Sequence, residues 1–346
     1  TGCTGLTSIS IPKNIKVLSE SVLKGCTNLT SVVLPEGMTG ISRFAFQNCT
    51  SLEEIHLPDS VATIGHSVFN GCSKLRSVNY PQSLEKMDDW GGNTSPFANC
   101  KSLTNIDIPE GVTQIPSYMF YNASNLVTVG LPSTLKTIGY GAFNGCTGLT
   151  EISLPDGIET LGNYAFNGCT KLTSVSIPGS VTAMGYDSFK DCTGLTSAEV
   201  GQGVTTIADS MFEGCTGLTS VTLPDGLTGV GNSAFKNCTS LESIVLPNSI
   251  KKMGSYAFSG CSELKSVNYP TKWETVSDGS SPFYNCRKLT SMVVPEGITA
   301  IPAYAFAGMS SLRTISLPST LIAIRNSAFL NCTGLLAVEL PEGLEN

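Results

Sequence analysis

One spacing constrains this chain more than anything else in it. Cysteines stand at 3, 26, 49, 72, 100, 146, 169, 192, 215, 238, 261, 286 and 332, and most intervals are 23 residues. The two gaps of 46 are double periods in which Ala123 and Met309 hold the cysteine position. Other columns keep the same phase. Leu falls three residues after the cysteine position in all fifteen units, and Ile or Val six after it, with Ala198 and Met292 as the departures. Pro falls nine after it in every unit except that of Gly201. Phe stands three before it from Phe46 to Phe329, and Leu23 takes that place in the first unit. A 23-residue unit cannot bury its own apolar side chains. Stacked copies align those side chains into continuous ladders, so the pattern predicts a solenoid.

Each unit reads Leu-x-x-Ile-x-Leu-Pro-Asp-Gly-Ile-x-x-Ile-Gly-x-x-Ala-Phe-x-Gly-Cys-Thr-x. Leu-x-x-Ile-x-Leu predicts a short strand, because its last apolar positions alternate with period two. Pro-Asp-Gly then ends it, since proline has no N–H for a ladder and Asp-Gly favours a tight turn. Ile-x-x-Ile-Gly crosses the opposite side of the coil. Ala-Phe-x-Gly-Cys is expected to make one helical turn ending near glycine. The expected fold is therefore an α/β repeat solenoid: a right-handed superhelix of short parallel strands with short helical turns. Residues 1–346 form a single such solenoid of about fifteen units on this reading, with longer units at 73–100 and 262–286. Both ends fall inside a repeat, so the chain is expected to be a piece of a longer protein.

A second level of repetition lies above the first. The run Ile108-Pro109-Glu110-Gly111 returns as Val294-Pro295-Glu296-Gly297, and Leu131-Pro132-Ser133-Thr134 returns as Leu317-Pro318-Ser319-Thr320. The offset is 186 in both cases. Both long units open alike, Asn79-Tyr80-Pro81 and Asn268-Tyr269-Pro270, and close on Ser-Pro-Phe. A block of eight units has been duplicated.

The motif Leu-Pro-x-[Gly/Ser]-[Ile/Val]-x-x-Ile-Gly-x-x-Ala-Phe-x-x-Cys resembles the BspA-like (type 5) leucine-rich repeats across essentially the whole chain. That resemblance implies a surface or secreted bacterial protein acting in adhesion and protein recognition. It also implies an extracellular or cell-surface location, and a protein ligand, such as a host protein, as partner.

Composition removes other classes. The chain carries 20 Lys+Arg against 27 Asp+Glu, a formal net charge of −7, and has no basic run. The electrostatic footprint of a nucleic-acid-binding protein is absent. No apolar stretch is long enough to span a membrane as a helix. The cysteine position accepts Ala123 and Met309 and no Cys-x-x-Cys pair exists, so the thiols read as free, buried and structural rather than as bridges or ligands. Only two histidines exist, His56 and His66, and neither sits where it would activate a nucleophile. Glu53, Glu54 and His56 do not converge as a metal site requires. Of the Asn-x-[Ser/Thr] triplets at Asn28, Asn48, Asn93, Asn122, Asn237 and Asn331, those at Asn48, Asn237 and Asn331 arise because the Asn-Cys-Thr corner recurs with the repeat. The chain reads as a non-enzyme with no cofactor.

Two surfaces are candidates for recognition. On the strand, positions four, five and seven after the cysteine should project outward and are mostly Ser and Thr. Glu53, Glu54, His56, Asp107, Glu151, Glu199 and Glu242 interrupt them. This face is read either as a protein-binding surface or as β-compatible polar filler. Nearer the Ala-Phe corner, Tyr118, Tyr140, Tyr164 and Tyr186 occur in successive units and form an aromatic stripe suited to a glycan, or one that merely covers the coil. Trp90 and Trp273 lie in the two long units and are expected to cover the local core, with glycan-binding inserts as the alternative. A structural spacer serving a domain elsewhere is the third reading.

Overall fold

The computed structural model describes residues 1–88, 95–277 and 279–345. It divides into two compact units, Thr1–Leu172 and Thr173–Asn346. In both, successive coils stack through parallel strand pairs set 23 residues apart. Ser8–Ser10 pairs with Ser31–Val33, and Asn105–Asp107 with Thr128–Gly130. In the second unit, Ser174–Ile177, Ser197–Val200 and Ser220–Thr222 form a three-stranded run. The register keeps each Ile/Val opposite its counterpart, Ile9 with Val32 and Ala198 with Val221. A slip of one residue would turn every apolar side chain outward, so burial fixes this register.

The segment Ile-x-x-Ile-Gly, read only as a crossing, forms a second parallel sheet. Val17–Leu18, Gly40–Ile41, Thr63–Gly65 and Lys86–Asp88 pair in order, as do Thr206–Ile207, Gly229–Val230, Lys252–Met253 and Thr275–Val276. The leucine column is buried from Leu29 to Leu312, and Leu6 and Leu335 are half-buried in the outermost coils. The phenylalanines stack from Phe46 to Phe166 in the first unit, and from Phe189 to Phe283 and again from Phe306 to Phe329 in the second, with centroids 5.1–5.9 Å apart and planes within 24°.

The expected helical turns do not form, and no described residue is helical. The Ala-Phe-x-Gly-Cys corner divides its amides instead. Ser21, Leu23 and Gly25 donate to Arg43, Ala45 and Gln47 of the next coil, while Val22, Lys24 and Cys26 donate three residues back. In most coils the residue two before Phe and the residue before Cys have φ of 50–79°, as at Ser21 and Gly25 or Tyr118 and Asn122. A left-handed residue every four positions stops an i→i−4 ladder before it starts. The residue before Cys is Gly, Asn or Asp, the types that tolerate this backbone. Where Asn48, Asn122, Asp191 or Asn237 holds it, the side-chain oxygen lies 2.1–2.4 Å from where a Cβ would sit on the glycine of the next coil. That neighbour has to be glycine.

The cysteine column also does more than fill space. Cys49 Sγ donates to the Leu23 carbonyl at 3.2 Å, Cys72 to Phe46 at 3.1 Å and Cys146 to Phe120 at 3.0 Å, always reaching the Phe-column carbonyl one coil back. Those carbonyls already accept a backbone N–H, as Phe120 does from Ala123. The thiol adds a bond rather than rescuing an orphan, and Ala123 can therefore stand in the column. Two cysteines depart from the expectation of burial. Cys3 is exposed and Cys332 half-buried, because each lies in an outermost coil covered on one side only.

Candidate functional site

The strand face is built from the residues that alternate with the buried Ile/Val column. Its threonines at position four are exposed, yet their hydroxyls are spent on the neighbouring coil. Thr30 Oγ1 donates to the Thr7 carbonyl at 3.0 Å, Thr196 to Thr173 at 3.0 Å and Thr219 to Thr196 at 3.0 Å. This column ties coils together. Position five remains outward, with Ser174, Ser220, Ser243, Ser266 and Ser291 exposed.

The acidic candidates separate into two groups. Glu53 is paired with Arg76 one coil on, at 2.9 Å, and Glu242 with Lys265, also at 2.9 Å. Lys265, hydrogen-bonded to it, holds the Glu242 carboxyl below its ordinary range. Glu199 accepts from Ser176 Oγ at 3.3 Å. Glu54, Asp107 and Glu151 are exposed on three coils of the first unit, each separated from the next by one intervening coil. Two coil steps correspond to roughly 9–10 Å, so these carboxylates make a spaced row rather than a cluster. Asp107 lies across Gly130, its Oδ1 2.4 Å from where a Cβ would stand. His56 is exposed and lines a shallow depression of about 430 Å³ with Thr30, Ser31, Glu54, Ser77 and Asn79. Among the described residues, no three His, Cys, Asp or Glu side chains are placed to hold a metal ion.

In the tyrosine stripe, Tyr118 and Tyr140 lie 5.2 Å apart and Tyr140 and Tyr164 5.5 Å apart, both pairs tilted by 55°. The rings lean on one another. Tyr118 and Tyr164 are half-buried with left-handed φ of 60° and 57°, whereas Tyr140 and, in the second unit, Tyr186 are exposed. Trp273 is buried as expected, packed edge-on to Phe283 and Phe306, with its Nε1 donating to the Thr275 carbonyl at 2.9 Å. Trp90 and Asn93 lie outside the described residues.

One feature escaped the repeat pattern. The second sheet breaks between Lys86–Asp88 and Gln114–Ile115, after the longer unit. There Gln114 Nε2, not a backbone amide, donates to the Glu85 carbonyl at 2.8 Å. The break leaves a groove of about 330 Å³ lined by Glu85, Lys86, Met87, Gln114–Tyr118, Thr137 and Gly139. Its only sequence signal is the length of the unit at 73–100.

Stacked parallel coils with a Leu/Ile/Phe interior and an outward polar strand face define a leucine-rich-repeat β-solenoid. The chain belongs to the BspA type leucine-rich repeat region family, whose model matches residues 1–90, 93–215, 182–281 and 279–346. A leucine-rich repeat protein from Bacteroides ovatus has a similar structure, with 27% identity and a TM-score of 0.74, over 91% of this chain and 85% of that one. A leucine-rich cell surface protein from Faecalibacterium prausnitzii is likewise 27% identical, over 95% of this chain and 86% of that one, with a TM-score of 0.45. No curated protein matches the chain. The fold is typically that of a non-enzymatic binding scaffold, and no described helix is long and apolar enough to cross a membrane.

Proposed function

We propose that this chain is the recognition part of a bacterial cell-surface or secreted protein, and that it mediates adhesion by binding a protein, such as a host protein, on its strand face. The observation that supports this is the row Glu54, Asp107 and Glu151. These exposed carboxylates project among short Ser and Thr side chains, while Glu53 and Glu242 on the same face are neutralised by partners one coil away. Short hydroxyl side chains lose little entropy on being covered, and the unpaired carboxylates favour a partner with basic groups. Such charges act mainly on association rate and its salt dependence.

The test begins with a protein captured from host-cell extract, purified and measured by surface plasmon resonance against wild type. Raising salt should slow association, and Glu54→Lys with Glu151→Lys should slow it further while leaving thermal stability unchanged. An unaltered rate for that double variant, with binding lost in Tyr140→Ala/Tyr164→Ala, assigns the site to the other side and refutes the proposal.

A further inference from the structure

The duplicated block supplies an internal comparison for the groove beside Tyr118. Residues 114–140 correspond to 300–326, and residues 80–87 to 269–276. The frame is preserved: Ile115-Pro116 returns as Ile301-Pro302, and Glu85 as Glu274. Tyr118 and Tyr304 both have φ of 60°. The lining is not preserved. Gln114, Ser117 and Thr137 become Ala300, Ala303 and Ala323, Lys86 becomes Thr275, and Tyr140 becomes Asn326. Gly139 becomes Arg325, whose guanidinium reaches across to the Glu274 carbonyl at 3.3 Å. That carbonyl is the counterpart of the one held by Gln114 in the first copy. In one copy the space is open and edged with an amide, two hydroxyls and the opposite charges of Glu85 and Lys86. In the other, alanines replace the polar edge and an arginine lies across it.

We infer that the groove formed by Glu85–Met87, Gln114–Tyr118 and Thr137 is a binding site for a neutral, straight oligosaccharide that continues along Tyr118, Tyr140 and Tyr164. Its volume of about 330 Å³ falls at the lower end of the range for small-ligand sites, roughly 300–1,000 Å³. Lys86 beside Glu85 gives no net charge, which disfavours an anionic or cationic ligand. Met87, Ile115 and Pro116 give an apolar floor, and the ring of Tyr118 a wall against which the C–H face of a pyranose packs. The Gln114 amide and the Thr137 hydroxyl both donate and accept, as sugar hydroxyls do. The next rings follow at 5.2 and 5.5 Å, one per coil, close to the advance of one sugar along an extended β-linked chain. The second copy lacks the groove lining and, with Asn326 in place of Tyr140, the row as well. This site is independent of the strand face.

Isothermal titration with cellotetraose and chitotetraose, and with the curved maltotetraose as comparator, tests the assignment. A β-linked tetrasaccharide should bind at one site per chain and maltotetraose should bind more weakly. Gln114→Ala and Tyr118→Ser each introduce the residue that another coil already carries at that column, so the fold should be retained, checked by circular dichroism. Each variant should weaken binding by about tenfold, the loss of one hydrogen bond or one ring contact. Arg325→Ala should leave the stoichiometry at one. The inference is overturned if no tetrasaccharide binds wild type at millimolar concentration, if both folded variants bind as wild type does, or if decaproline occupies the groove while the sugars do not.

Discussion

Raising pH should unfold this protein through its cysteine column. Cys100, Cys146, Cys215, Cys238 and Cys286 are all buried, and burial pushes their thiols up, Cys100 to about 12 and the others well above the ordinary thiol range. In the unfolded chain each returns to about 8.5. A group whose pKa is raised by folding gives its full stability below the unfolded value and loses it as pH rises toward the folded one. The loss therefore begins near pH ~8.5 and continues toward pH ~12 for Cys100. At about pH 10 Cys100 is a thiolate in the unfolded chain and a thiol in the folded one, which favours unfolding by ~2 kcal/mol, since one pKa unit is worth about 1.4 kcal/mol. The other four buried thiols act in the same direction, against a typical total stability of about 5–15 kcal/mol. Circular dichroism from neutral to strongly alkaline pH, with reductant present, should show cooperative loss of structure near pH ~10, and buried thiols should become reactive over the same interval. Below it, Cys3 should react with a thiol reagent at once, Cys332 slowly and the buried thiols not at all. A fold that survives at pH ~11 with its thiols still silent refutes the reasoning, and fewer than thirteen thiols after unfolding without reductant would show bridges.

Phe143, fully buried between Phe120 and Phe166 at 5.1 Å on each side, should lose ~3–5 kcal/mol on replacement by Ala. Phe143→Leu, the residue found at Leu23, should lose much less. Denaturant titration measures both, and equal losses would contradict a shape-specific stack. At acid pH the turn carboxylates matter. Glu110 accepts from Ser133 N and Oγ at 3.0 Å, Glu296 does the same with Ser319, and these backbone and hydroxyl bonds hold both carboxyls below the ordinary range. Their contribution is full above about pH 4.3 and is lost as pH falls through the lowered folded values. Glu110→Gln/Glu296→Gln should therefore shrink the difference in urea midpoint between about pH 6 and about pH 3. An unchanged difference counts against these turns as acid-sensitive points.

The interior was legible because burial in a stacked coil is strictly periodic. The Leu, Ile/Val and Phe columns each answer to one environment repeated at 23 residues, so the residue type reports the environment. The corner was misread because Ala-Phe-x-Gly-Cys has the composition of a helical turn. What decides against a helix is the left-handed backbone at the residue two before Phe. Ser21, Phe44, Tyr118 and Asp187 all occupy that position, and so varied a set carries no signature. The thiol bond to the preceding coil was equally hidden, because Ala123 and Met309 make the column look purely apolar.

Surface roles were harder still, since a side chain on one coil acts on the backbone of the next. Threonines that seem to form a hydroxyl face donate to carbonyls 23 residues earlier. Asn79 exchanges two bonds with the backbone of Leu57, at 2.7 and 2.8 Å, and Asn268 does the same with Leu246. In these two long units an asparagine takes over the backbone pairing that other coils make through strand amides. The same pair of units carries the corresponding ion pairs, Glu53–Arg76 and Glu242–Lys265. The duplication has thus preserved what holds coil to coil, down to individual side-chain bonds. It has not preserved the residues lining the groove at Gln114 and its counterpart at Ala300. A surface needed only for stacking would have been under the same constraint in both copies. The copies diverge where the second sheet is interrupted, which is the divergence the proposed ligand site in the first copy requires.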